Sequence, residues 1–326
     1  MLSRVADSLY WMSRYLERAE HTARLVDVNL SLALEQSPEA AMRRWERVLA
    51  SLRTKAPKTA PSDDAVAMAH WLAFDAANNN SVASCLHSAR ENARQVREEL
   101  SSEMWQQINR VYLWAQEARD DESVEINPRE FLTRAIESCH LIQGVTDATL
   151  SHGESWRFIA AGRCIERASN TASLLDVQFE ALRRSVRQEH PARRAQTDNY
   201  LDWVALLNSC AAFDAYCKGY TAHLQTDHIA ELLVLRPDFP HSICFSAVEL
   251  EVCLRAIGLG SQTHRTSKPT TLAHRLRATL GTSDAQNLMQ DGLHSHLRYV
   301  LDQCGQIHQA IHHSYFAYPV EEELAA

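Results

Sequence analysis

One helix-forming segment occurs twice in this chain. Residues 9–28 and 158–177 align at a constant offset of 149. Arg14 answers Arg163, Glu17-Arg18-Ala19 answers Glu166-Arg167-Ala168, Thr22-Ala23 answers Thr171-Ala172, and Asp27-Val28 answers Asp176-Val177. A repeat of this kind makes the chain a tandem duplication of a unit of 150–165 residues, with only two copies and so no long solenoid. Weaker echoes extend it. Trp45-x-x-Val48-Leu49 matches Trp203-x-x-Leu206-Leu207, and Asn80-Ser81-Val82 matches His241-Ser242-Ile243, with Ser81 and Ser242 expected as helix N-caps. Leu132, Ile136 and Cys139 pair with Leu297, Leu301 and Cys304 near the end of each copy.

Apolar residues recur at the 3.6-residue helical period almost throughout, and no segment alternates at period two. The pattern predicts helices at 2–36, 39–54, 63–75, 81–99, 101–119, 128–151, 154–189, 197–218, 223–234, 241–258, 269–280, 284–290 and 292–316. Pro38, Pro57, Pro61, Asp120-Asp121, Pro128, Gly153, Pro191, Pro237, Pro240 and Gly281 fall between them. The expected fold is all-α: two pseudo-twofold-related helical-bundle halves, 1–153 and 154–326, packed into one molecule.

Glycine is scarce, nine in 326 residues with the first at Gly144, so neither a P-loop nor a dinucleotide-binding loop is present. Gly258-x-Gly260 reads as a helix C-terminus. Net charge is −8 and neither half is basic, which argues against nucleic-acid binding. No apolar run is long enough to span a bilayer, and Arg4 and Asp7 interrupt any signal peptide, so a cytoplasmic location is expected. The eight cysteines form no Cys-x-x-Cys pair and read as buried thiols. The seven tryptophans read as core packing.

On a helical wheel Leu9, Met12, Leu16, Ala19, Ala23, Val26 and Leu30 form one seam, with alanines permitting close helix approach. The opposite side mixes Arg14, Glu17 and His21 with Tyr10, Leu25 and Val28, which places the helix inside a bundle with its charges partly buried. Two readings of Arg14, Glu17, Arg18 and their copies Arg163, Glu166, Arg167 stand. One is a salt-bridge network that fixes register. The other is an anion-binding or acid–base site, because arginine holds carboxylates and phosphates in a fork and burial shifts a glutamate pKa. The halves differ in one respect. Arg90, Arg94 and Arg97 lie on one stripe with Glu91 and Asn92, followed by Glu103, and the second half lacks this stripe. It is either a solvated face, with pairs such as Arg94–Glu98, or a surface that meets an anionic ligand or partner. Seven of the 16 histidines fall between His264 and His313. His308 and His312 have metal-ligand spacing near His294-x-His296, but nothing completes a ligand set, and no metal or cofactor is expected. No serine-nucleophile signature occurs.

The opening Met1–Glu20, the Asn80-Ser81-Val82 step, and Ala89–Arg97 with Ser101–Trp105 resemble the bacterial alpha-E domain family. That family is all-α and is named for a Glu-Arg motif, here Glu17-Arg18 and Glu166-Arg167. The resemblance implies a genomic setting beside, or fused to, circularly permuted ATP-grasp proteins, often with transglutaminase-like peptidases. That setting implies a system that makes or modifies a peptide or amide bond, and because the chain shows no nucleophile, nucleotide or metal signature and carries a one-sided cationic stripe, the role expected in it is a non-catalytic accessory that binds the ATP-grasp protein or a peptide or carboxylate ligand. Its contact surface would be the face of Arg90, Arg94 and Arg97. The alternative is an enzyme of the same pathway, with Glu17 as acid or base and Arg14 and Arg18 holding an anionic substrate.

Overall fold

In the computed structural model the described residues are 1–34, 37–55, 64–119, 128–187, 192–220, 223–260, 267–284, 288 and 292–317, without the side chains of 184–199 and 267. Among them there is no strand. The described residues form thirteen α-helices in order: α1 (Ser3–Ala33), α2 (Pro38–Ser51), α3 (Ala65–Phe74), α4 (Val82–Gln95), α5 (Ser102–Arg119), α6 (Arg129–Thr149), α7 (Glu154–Arg187), α8 (Ala192–Ser209), α9 (Phe213–Gly219), α10 (Thr226–Ala230), α11 (Ile243–Gly260), α12 (Ser267–Thr282) and α13 (Leu293–Ile311).

Local chemistry sets the starts. The Ser37 hydroxyl caps α2 ahead of Pro38, and Asp64 accepts from the amides of Val66 and Ala67. Ser81 and Ser242 cap α4 and α11 by accepting from the Ser84 and Phe245 amides, as their positions in the sequence predict. The expected helix 81–99 stops at Gln95 and tightens to a 3₁₀ turn, Arg97–Glu99. The expected helix 197–218 is two helices, broken where Ala211 takes a left-handed φ of 49°. The expected helix 223–234 is the short α10 running into a π turn, Glu231–Leu235, and a second π turn, His312–Phe316, follows α13. The expected breaks at Pro57, Pro61, Asp120-Asp121 and Pro191 lie outside the described residues, as does most of the expected helix 284–290.

The two long helices are the centre. Helix α1 packs against α4 and α6, and α4 and α6 each pack against α5. Helix α7 packs against α11 and α13, and α11 and α13 each pack against α12. The two groups meet because α1 packs along α7, while α2 reaches over to α7 and α8 reaches over to α1. The seam read from the sequence is buried: Leu9, Met12, Ala19, Ala23, Val26 and Leu30 on α1, and Phe158, Ala161, Ile165, Ala168, Ala172 and Leu175 on α7. Leu16 is partly buried.

The closest approach is at Gly162. A Cβ there would collide with the Tyr10 carbonyl and the Ser13 hydroxyl of α1. Glycine inside a helix is unfavourable by roughly 1 kcal/mol relative to alanine, so this one is kept by packing. We expect Gly162→Ala to lower unfolding free energy by roughly 1–3 kcal/mol through overpacking. Gly144→Ala, where an added Cβ meets nothing within 4 Å, should be neutral or stabilising. Denaturant midpoints of the two variants check this contrast.

Candidate functional site

Where α1 and α7 cross, the two Glu-Arg motifs bind each other and not themselves. Glu17 is gripped from across by Arg167, whose Nε donates to Oε1 at 2.6 Å and Nη2 to Oε2 at 2.8 Å. Glu166 is gripped from α1 by Arg18 Nε and Arg14 Nε, each at 2.7 Å. Both carboxylates are buried, 7% and 4% exposed. Buried carboxylates in this setting need partners, because the desolvation cost of an unpaired one is several kcal/mol. Helix spacing brings Glu17 near Arg14 along the same helix, but the packing of α1 on α7 supplies the partner instead.

The two sides of the crossing then differ. Glu17 has one arginine and the neighbouring carboxylate of Glu20. Burial pushes Glu17 above the ordinary carboxylate range, against the pull of Arg167. Glu166 has two arginines. Burial alone would raise it too, but Arg14 and Arg18 outweigh the burial and hold it down at about 2. Arg163, the counterpart of Arg14 in the sequence alignment, turns outward to Asp147 at 3.9 Å.

Each carboxylate faces its own cleft. On one side a cavity of about 40 Å³ is bordered by Glu17, Glu20, His140, Gln143, Arg163 and Arg167. On the other a cavity of about 290 Å³ is bordered by Arg14, Arg18, Arg53, Asn80, Glu166 and His308. Glu17 and the pair Arg14/Arg18 therefore border different clefts. In the larger one, Arg18 Nη1 donates to Asn80 Oδ1 at 3.1 Å, and Asn80 Nδ2 donates to Thr54 Oγ1 at 2.9 Å. Arg14 lies over the Trp11 ring, 4.5 Å from its centroid, and its Nη1 meets His308 Nδ1 at 3.2 Å. Arginine only donates, so Nδ1 is the accepting nitrogen and the ring proton is on Nε2. Burial and then Arg14 hold His308 at about 4.

Arg53 enters this cleft from an unusual backbone position. It follows α2 with φ of 54°, and its amide and that of Thr54 close the helix end on the Ala50 and Leu49 carbonyls. Glycine is the usual residue here, and a non-glycine side chain in this conformation costs on the order of 1 kcal/mol. Ala211 sits at the same kind of turn after α8, with bonds to the Asn208 and Leu207 carbonyls. Arg53, Asn80 and His308 were not singled out by sequence as parts of one site. The one usable signal was that Arg53 lines up with Ala211 when Trp45 is set against Trp203.

The stripe on α4 is an arginine–aromatic surface. Arg90 pairs with Glu91 and lies over Tyr112 and Trp105, with centroids at 5.1 and 5.8 Å. Arg97 covers Trp105 at 5.5 Å. Arg94 pairs with Glu91 at 2.9 Å, not with the expected Glu98. Asn92 Nδ2 donates back to the Ser88 carbonyl at 2.8 Å, and Arg94, Arg97 and Glu103 are exposed. His308 and His312 do not share a ligand set, and among the described residues no three His, Cys, Asp or Glu gather as a metal site would require. Seven of the cysteines are buried free thiols, and Cys217 is exposed. No helix of the described residues is long and apolar enough to cross a membrane.

Two histidines, His21 buried and His241 partly buried, flank the crossing. Burial holds His21 at about 4, and burial with the nearby Arg167 holds His241 at about 3. Both are thus neutral in the folded chain, and their contribution is complete above the unfolded value of 6.5 and lost as pH falls below it. We expect unfolding free energy to fall between pH 6.5 and 5 by up to about 2 kcal/mol per histidine, from 1.36 kcal/mol per pKa unit. His21→Gln and His241→Gln should each flatten that slope in denaturant titrations. Between pH 4.5 and about 2 the unfolded chain takes up a proton at Glu166 that the folded chain does not, which adds a second loss. Glu166→Ala, which strands Arg14 and Arg18, should cost roughly 3–5 kcal/mol at neutral pH.

Comparison with known proteins agrees with this helical picture. The sequence profile of Alpha-E, described as a predicted alpha-helical domain with a conserved ER motif, matches residues 1–316. An uncharacterised protein of Mycobacterium bovis and one of Mycobacterium tuberculosis are each 23% identical over 321 residues, covering 91% of this chain. The chain spans about a third of the length of these relatives, 35% in each case. No solved structure matches.

Proposed function

Because the chain belongs to the Alpha-E family, we propose that it is a non-catalytic accessory of an ATP-grasp-linked system that makes or modifies a peptide or amide bond. It would work in the cytoplasm beside a circularly permuted ATP-grasp protein and, where one is present, a transglutaminase-like peptidase. The observation that carries this reading is the reciprocal pairing at the crossing. Both motif carboxylates are already committed to arginines of the opposite helix, so the Glu-Arg motif acts as a clamp. What is left for contact with a partner is the exposed face of Arg94, Arg97 and Glu103, backed by Trp105.

We also read the two halves, 1–153 and 154–326, as duplicated units related by a pseudo-twofold at this clamp. Four things support it: the 149-residue offset, the matching order of helix packing, the reciprocal ion pairs, and the paired left-handed turns at Arg53 and Ala211.

Co-purification with a circularly permuted ATP-grasp protein tests the accessory role. We expect a complex at micromolar concentration that Arg94→Glu with Arg97→Glu weakens at least roughly tenfold, the scale of losing charge-assisted contacts at a partly exposed interface. No complex, with or without ATP, contradicts it.

A second reading has one observation in its favour. Burial raises Glu17 beside a small cleft, as an acid or base would need. Glu17→Gln separates the two. An accessory should keep pathway function in this variant, provided it folds, whereas an enzyme using Glu17 should lose it.

A further inference from the structure

We propose that the larger cleft is a binding site for a small dianion, a phosphate monoester or a dicarboxylate. Three guanidiniums, Arg14, Arg18 and Arg53, border it against a single carboxylate, Glu166. The formal surplus is two positive charges, in a setting where Glu166 is already spent on two of them. Arg53 has no carboxylate partner among the described residues. Among the described residues its guanidinium makes one hydrogen bond, a long contact from Nη2 to the Ser169 carbonyl at 3.5 Å. Nη2 of Arg18 also has no hydrogen bond among the described residues, because its bonds use Nε and Nη1. Guanidinium N–H groups left over in this way are the donors that recognise oxyanions in a fork.

The neutral wall points the same way. Thr22, wholly buried, borders the cleft with its hydroxyl unpartnered, and the Asn170 amide nitrogen beside the cleft is unpartnered as well. A buried donor without a partner is costly, and both atoms lie just beneath the cleft surface, where a small side-chain rotation would turn them toward a bound oxyanion. His308 adds a neutral ring whose proton sits on Nε2, so it brings no further charge. The cavity of about 290 Å³ exceeds the space a bare phosphate needs, which leaves room for a small organic group.

The cleft on the other side of the crossing provides the contrast. There Glu17 and Glu20 face Arg163 and Arg167, the charges balance, and the cavity shrinks to about 40 Å³. His140 occupies that wall, while Gly305 stands in the larger one and leaves space open. One site per chain follows.

Two substitutions test the site while favouring the fold. Arg53→Gly removes the guanidinium and relaxes a left-handed backbone. Gly305→Glu places a carboxylate on the cleft wall at a helical position where an added Cβ meets nothing within 4 Å. The full chain is titrated calorimetrically with inorganic phosphate, succinate and the monoanion acetate at one ionic strength and pH 7.5. We expect saturable one-to-one binding of phosphate or succinate, at least tenfold tighter than acetate. The tighter of the two identifies the ligand as a phosphate or a dicarboxylate. Each substitution should weaken binding roughly 10- to 100-fold, the loss that follows from removing or opposing a charged hydrogen bond, with helicity unchanged. The proposal is overturned if neither dianion binds saturably at millimolar concentration, or if both variants bind like the parent. It stands on the cleft alone, so a failure to capture an ATP-grasp partner leaves it intact.

Discussion

Two buried carboxylates that must not lie unpaired organise this protein. Glu17 and Glu166 sit on the two longest helices, at a crossing close enough that residue 162 must be glycine. At that distance each carboxylate is reached by an arginine of the opposite helix, and the arginine next to it in sequence serves the other. The pairs add little net stability over an apolar contact, because desolvation offsets most of the Coulomb attraction. They do add specificity. A rotation or slide of α1 along α7 would strand five charges at once, Glu17, Glu166, Arg14, Arg18 and Arg167, so the crossing has one register.

Asymmetry around that crossing is where function can be sought. Arg14 turns inward to Glu166, while Arg163 turns out to Asp147. Arg53 enters the larger cleft, whereas the similar left-handed turn after α8 carries Ala211. The result is one small, charge-balanced cleft and one wide, cationic cleft. The walls differ at a few positions, with His140 on the small cleft and Arg53, Gly305 and His308 on the large one.

Much of the fold could be read from the sequence, because it rests on local chemistry. The 3.6-residue period placed the helices, Ser81 and Ser242 marked two starts, and the repeated apolar seam named the core of α1 and α7. Helix ends were harder. The break at Ala211 depends on a left-handed turn that alanine does not advertise. The site was half legible. Arg14, Glu17, Arg18 and their copies stood out, but spacing offers only neighbours three or four residues away, whereas the true partners lie about 150 residues apart. Arg53, Asn80 and His308 come from three separate segments, and only tertiary packing assembles them. Arg90 and Arg97 were legible as a stripe, yet their ring partners Trp105 and Tyr112 lie on α5 and took the packing of α4 on α5 to find.

The reciprocal clamp can be measured directly by a double-mutant cycle on unfolding free energy. Glu17→Gln and Arg167→Gln, singly and together, should show a coupling of roughly 2–3 kcal/mol, as expected for contacting members of one buried ion pair. The parallel cycle of Glu17→Gln with Arg18→Gln, its neighbour in sequence, should show a coupling below about 0.5 kcal/mol. Coupling to Arg18 as large as that to Arg167 would mean that each motif pairs within its own helix, and would contradict the crossed clamp.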